Sequence, residues 1–210
     1  EKQPSLIINS VKDFKISLTE IRKYWSKLSY DIQKIRDNPK TAKEEYACKI
    51  NSHRNGKTPC DKVSFSLQKL SSKKKRSGRK PKVAILREQG INGHKEMAHS
   101  FLKSGFDAHD IHTNDSIGGN IDLKKYEGLV ACGGFSYGDV LGAGTGWANK
   151  ILYNDKMRND LAEFFNDSNK FALGVCNGCQ MLSQLREIIP GTKHWPKFVR
   201  NTSNQFEARL

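Results

Sequence analysis

The chain has 210 residues, room for one domain of ordinary size plus an appendage, and a formal net charge of +14. That charge is lopsided: residues 1–82 hold 22 Lys/Arg against 8 Asp/Glu, whereas residues 83–210 hold 14 against 14. No apolar run approaches the ~18 residues of a membrane span and none reads as a signal peptide, so the expectation is a soluble chain. Five cysteines without framework spacing fit a reducing compartment, so the expected location is cytoplasmic.

Leu6-Ile7-Ile8 has the character of a short strand but no evident partner nearby, and the expectation is that the chain starts in the middle of a larger fold. Ser17-Leu18-Thr19-Glu20 fits a capping box, with Ile16 and Ile21 spaced as a hydrophobic staple. Leu18, Ile21, Trp25, Leu28, Ile32 and Ile35 then recur at three- and four-residue steps, predicting an amphipathic helix over 18–36 that stops at Asn38-Pro39. Two and a half heptads are too few for a coiled coil, and the stripe is expected to dock on another domain. Residues 40–82 are polar without sustained period. From Lys69 to Lys82, inclusive, there are eight basic residues and no acidic one. A polyanion-binding tail and a solvated linker both fit; the linker is favoured because no aromatic residues interleave the charges.

From Lys82 the texture changes. Val83-Ala84-Ile85-Leu86 predicts a buried strand, 93–103 a helix, 106–111 a second strand, 128–132 a third, 147–165 one long helix and 171–175 a further buried strand. This alternation predicts an α/β fold with a mostly parallel sheet and flanking helices, whose chemistry gathers at the carboxyl ends of the strands.

The last of these strands leads into Gly174-Val175-Cys176-Asn177-Gly178 and then a helical segment, 180–188. That is the cysteine form of the strand–turn–helix nucleophile elbow. Cys176 would project from a strand end at the start of a helix whose free N–H groups and dipole favour a thiolate. Cys176 and Cys179 also form a C-x-x-C, readable as a redox pair or half a zinc site. A zinc site needs a second ligand pair that Cys48 and Cys60 do not offer, and a redox pair usually follows a first strand. A buried structural cysteine is the bland alternative. Cys176 is taken as the nucleophile and Cys179 as a packed helix residue.

Gly133-Gly134 follows a strand, but its spacing fails the dinucleotide fingerprint, and Gly142-x-Gly144-x-Gly146 lacks the Lys-Ser/Thr ending of a P-loop. An oxyanion hole fits better: acyl transfer from an amide needs N–H donors aimed at the developing alkoxide, one from Asn177 and one from Gly134.

At this point the motifs match a known family. Arg87-Glu88-Gln89-Gly90, the run Ala131-Cys132-Gly133-Gly134-Phe135-Ser136-Tyr137-Gly138-Asp139-Val140-Leu141-Gly142-Ala143-Gly144, and Gly174-Val175-Cys176-Asn177-Gly178-Cys179-Gln180 closely resemble the glutaminase domain of phosphoribosylformylglycinamidine synthases. Trp195-Pro196, Arg200-Asn201-Thr202-Ser203 and Phe206-Glu207-Ala208-Arg209 extend the resemblance, and Arg36-Asp37-Asn38-Pro39 resembles the exit from the synthetase domains of the large single-chain form.

The resemblance implies a class I glutamine amidotransferase of flavodoxin-like fold. Cys176 would form a glutamyl thioester and release ammonia for an ATP-dependent step of purine biosynthesis. Gly134 and Asn177 would be oxyanion donors, Gln180 would help hold glutamine, and Asn201 and Ser203 would contact its amino-acid end. The partners expected are glutamine and synthetase domains of the same polypeptide, with no nucleic acid and no membrane. No metal or cofactor is expected in this chain; ATP and Mg2+ would bind in the synthetase domains. The implied layout is 1–50 as the tail of the synthetase region, 51–81 as a basic linker and 82–210 as the N-terminal part of the glutaminase. The family's base is a His oriented by a Glu, both well after the nucleophile. Only His194 follows Cys176 here, outside the family's motif, so the chain by itself is expected to be inactive or weak. The rival readings are a cysteine-elbow hydrolase or stress protein without ammonia transfer, and a nucleic-acid-binding module using 69–82.

Overall fold

Four consecutive apolar residues, Val83 to Leu86, are all fully buried, which requires neighbours on both edges and both faces of their strand. The computed structural model, which describes residues 5–8, 14–51 and 78–207, supplies them. The chain divides into two compact units, Glu1–Leu70 with Val199–Leu210, and Ser71–Phe198.

The second unit is an α/β layer built on a four-stranded parallel sheet. Strand β3 (Lys82–Arg87) lies between β4 (Asp107–His112) and β5 (Gly128–Ala131), and β5 pairs in turn with β6 (Phe171–Gly174). Ile85 stands opposite Asp110 on one side and Val130 on the other, and Val130 opposite Leu173. All four strands run the same way, so Glu88, Thr113, Cys132 and Val175 leave the sheet at one end. Helix α3 (His94–Lys103) packs on β3 and β4, while α7 (Asn177–Gln184) packs on β5 and β6.

Where one long helix was expected over 147–165, there are two, α5 (Thr145–Leu152) and α6 (Asp155–Asn166). Asn154 explains the break: its side-chain oxygen accepts the Met157 N–H at 2.9 Å, restarting the helix with a fresh cap. Strand β6 also differs from expectation, because among the described strands it is an edge, with Phe171, Leu173 and Val175 each more than a third exposed. A short helix that the sequence reading passed over, α4 (Thr113–Ile117), follows β4 directly. Its first residue ties the core together: Thr113 Oγ1 accepts the Trp147 indole N–H at 3.0 Å and donates to the Arg87 carbonyl at 3.1 Å.

In the first unit the apolar run near the N-terminus does find a partner. Strand β1 (Ser5–Ile8) pairs antiparallel with β2 (Phe14–Ser17), Leu6 opposite Ile16. Ser17 then caps α1 (Leu18–Arg36), and the capping box with Glu20 is formed. The stripe of α1 is open, with Trp25 85% and Ile35 82% exposed. Asn38-Pro39, read as a stop, is also a start: α2 (Pro39–Asn51) begins there, with Asn38 Oδ1 accepting the Lys40 N–H and proline at the first helical position. Tyr46 of α2 stacks on Tyr30 of α1 at 4.6 Å between centroids.

Trp147 is wholly buried and carries the core's bond to Thr113. Trp147→Ala is expected to cost about 3–5 kcal/mol in urea unfolding. A loss below about 1 kcal/mol would mean that α5 is not part of the cooperative core.

Candidate active site

Strand β6 ends at Gly174, and only Val175 and Cys176 separate it from the first residue of α7. The turn between them is forced to be tight because α7 lies directly on β5: any side chain at Gly178 would run into the Ala131 carbonyl group. The residue at the corner takes up the distortion. Cys176 has φ 52° and ψ −115°, a backbone conformation that L-residues other than glycine rarely hold. Its thiol is solvent-exposed at the mouth of the sheet.

Gly133 is set against it, so that a Cβ built there would lie 3.2 Å from the Cys176 Cβ and 4.0 Å from its Sγ. The next residue, Gly134 (φ 151°), faces Ile91 across an antiparallel bridge. The bonds of that bridge run from the Phe135 N–H to the Gly90 carbonyl (2.9 Å) and from the Asn92 N–H to the Gly133 carbonyl (3.3 Å). Gly134 and Ile91 are therefore the non-hydrogen-bonded pair, and the Gly134 N–H takes no part in the bridge. The backbone passes so close that a Cβ at Gly134 would sit 2.5 Å from the Gly90 oxygen.

Asn177 serves in two ways. Its N–H is the first of α7, without an intrahelical acceptor. Its buried side chain clamps the glycine loop: Oδ1 accepts the Ser136 hydroxyl at 2.7 Å and the Ser136 N–H at 3.3 Å, while Nδ2 donates to Asp139 at 2.8 Å. That clamp fixes a turn in which Tyr137 and Asp139 both have positive φ. The sequence reading assigned Asn177 its backbone role only; the polar run Ser136-Tyr137-Gly138-Asp139 was the available sign of a side-chain network.

The cleft beside Cys176 has a volume of about 460 Å³ and is walled by Asn92, Glu96, Gly133, Gly134 and Phe135 among others. Among the described residues, no histidine lines it. Cys179 opens on a different cleft, with Phe165, Leu182, Trp195 and Phe198, and is exposed rather than packed as expected. Gln180 is half-buried one turn into α7, its N–H bonded to the Cys176 carbonyl at 3.1 Å. Asn201 and Ser203 belong to the first unit, where Asn201 Nδ2 donates to the Gln205 carbonyl and the Ser203 carbonyl accepts the Asn38 N–H.

Behind the glycine loop is a charged cluster without an assigned role in the sequence reading. Glu88, directly after β3, is almost fully buried; its carboxylate accepts Lys150 Nζ at 2.9 Å and the Gln89 N–H at 2.9 Å, with His112 Nε2 3.4 Å away. Burial alone would push the Glu88 carboxyl up, but the Gln89 N–H, Lys150 and His112 outweigh it and hold it below the usual range. The signal for it was a charged residue placed immediately after four buried apolar ones.

Cys132, directly after β5, is fully buried where Cys176 is exposed. Burial, reinforced by the carboxylates of Asp110 and Glu96, pushes its thiol up to about 11.

The profile of the CobB/CobQ-like glutamine amidotransferase domain matches residues 80–210, and the chain belongs to that family. Among solved structures it is similar to PurLQS from Thermotoga maritima, at 26% identity with a TM-score of 0.43, over 51% of this chain and 45% of that one. The match therefore spans less than half the length of that relative.

At pH 8 a thiol titrating near 11 is about one part in a thousand thiolate, and thiolate is the form that alkylates. Iodoacetamide at that pH is expected to modify Cys176 and Cys179 while leaving Cys132 intact until the protein is denatured, as read by peptide mass spectrometry. Equal labelling of Cys132 would show that the end of β5 opens to solvent.

Proposed function

We propose that the second unit is the glutaminase of a phosphoribosylformylglycinamidine synthase. The observation that carries this reading is the strained, exposed Cys176 held at a strand-to-helix corner against a glycine loop. The long motifs around residues 131–144 and 174–180 point to that synthase rather than to a cysteine hydrolase of related fold.

In this reading the Cys176 sulfur adds to the side-chain amide carbon of glutamine. The amide oxygen gains the electron pair and is held by the N–H groups of Gly134 and Asn177. Collapse breaks the carbon–nitrogen bond, the thiol proton leaves with ammonia, and a γ-glutamyl thioester remains. Water then releases glutamate and restores the thiol. Gln180 steadies the substrate. The base that takes the thiol proton is, as the resemblance implies, a histidine oriented by a glutamate, both well after Cys176 in sequence.

The ammonia is used at an ATP-dependent site in partner synthetase domains, where it replaces the formyl amide oxygen of formylglycinamide ribonucleotide. Mg2+ and ATP are assigned to those domains. No step at Cys176 passes through them. Among the described residues no helix is long and apolar enough to cross a membrane, and the proposed setting is the cytoplasm.

The test is incubation with a glutamine analogue carrying a diazoketone in place of the amide. A single adduct on Cys176, slowed by glutamine but not by glutamate and absent from Cys176→Ser, is the expected result. An adduct shared evenly with Cys179, or indifferent to glutamine, would sink the assignment.

A further inference from the structure

Among the described residues, no named strand pairs with the loop at residues 133–137. It hangs instead on residues 89–93: Gly93 and Asn92 donate to the Gly133 carbonyl at 3.1 and 3.3 Å, Phe135 donates to Gly90 at 2.9 Å, and Tyr137 donates to Gln89 at 3.0 Å. The direction of the Gly134 N–H is thus set by a second loop, and that loop is rooted at Glu88. Glu88 Oε1 accepts the N–H of Gln89, the first residue of the template, and Oε2 accepts Lys150 Nζ. Lys150 comes from α5, donates as well to Asn114 Oδ1, and lies 5.8 Å from the centroid of the Tyr137 ring. One ion pair therefore ties the end of β3, the start of α4, α5 and the far end of the glycine loop.

A buried ion pair is weak evidence for stability, since apolar side chains of similar volume often replace one at no cost. What the pair supplies here is geometry. We propose that Glu88 and Lys150 are positioning residues for the oxyanion donor, aiming the Gly134 N–H at the oxygen that becomes negative when Cys176 attacks. This inference rests on the reading of Cys176 as nucleophile and Gly134 as donor.

A glutamine analogue with an aldehyde in place of the amide tests it, because the aldehyde adds reversibly to the thiol and its affinity senses the oxyanion donors. The rate of alkylation by iodoacetamide senses only access to the thiol. Glu88→Gln and Lys150→Met are each expected to weaken aldehyde binding by about tenfold or more while changing the iodoacetamide rate less than about twofold. The double variant Glu88→Met/Lys150→Met, which keeps volume and leaves no unpaired charge, should bind no worse than either single variant, and Lys150→Arg should recover most of the affinity. Unchanged aldehyde binding in variants with native circular dichroism would overturn the proposal. So would a parallel fall of both probes, which marks general loosening. A wild-type chain that reacts with iodoacetamide but takes no aldehyde removes the oxyanion reading itself, and this inference with it; the wild-type arm alone separates that outcome from the others.

Discussion

The close approach of α7 to β5 is the contact on which the site depends. With hydrogen alone at residue 178, the helix rests on the Ala131 carbonyl, and the chain has two residues in which to turn from strand to helix. A turn that short cannot keep every residue in an ordinary conformation, and the strain falls on Cys176. Holding a non-glycine residue there costs on the order of 1–3 kcal/mol, which surrounding packing must over-determine. Around it Ala131, Met181 and Leu185 are fully buried, so the corner has a rigid floor. The result is a thiol thrust into solvent from a fixed backbone.

Position of the thiol is half of the arrangement; the other half is a loop that faces it. Residues 133–139 are irregular, with positive φ at Gly134, Tyr137, Gly138 and Asp139, and such a segment has no cooperative hydrogen-bond ladder of its own. It is held from two sides instead. On one side the Asn177 amide reaches across from the helix that begins directly after Cys176, so helix and loop cannot move independently. On the other, the backbone of residues 89–93 supplies acceptors and donors. Both supports start from strand ends of the same sheet, and the sheet's register is set by fully buried residues at 83–86 and 129–131. The rigidity of the core is thereby passed to the site through short covalent links and polar bonds.

What could be read in the sequence follows from the range of each signal. The parallel strands, the elbow and the capping box at Ser17 are local patterns and each is present, although the elbow's helix, expected over 180–188, starts at Asn177 and ends at Gln184. Boundaries set by competing local signals were legible only in part. Asn38-Pro39 ends one helix and begins the next, because an asparagine cap with proline after it suits a helix start as well as a stop. Asn154 splits a pattern that is apolar on both sides of it. The pairing of β1 with β2 and the edge position of β6 depend on which strands meet, which periodicity does not encode. For the same reason the Glu88–Lys150 pair, 62 residues apart in sequence, left only a misplaced-looking charge as its trace.

Three cysteines near this end of the sheet show why residue type alone did not settle the chemistry. Cys132 ends β5 one residue before the glycine loop, yet the core encloses it completely and burial keeps it a neutral thiol. Cys179 is only three residues beyond Cys176, but the helix turns it onto a separate apolar cleft with Phe165, Leu182 and Trp195. Cys176 alone combines exposure, a fixed strained backbone and a facing loop with an uncommitted N–H. The C-x-x-C spacing is thus a consequence of the elbow's helix rather than a redox device, since the two thiols open on different clefts. The exposure and strain of Cys176 are properties of the corner, and the corner is a property of how closely one helix can approach one strand.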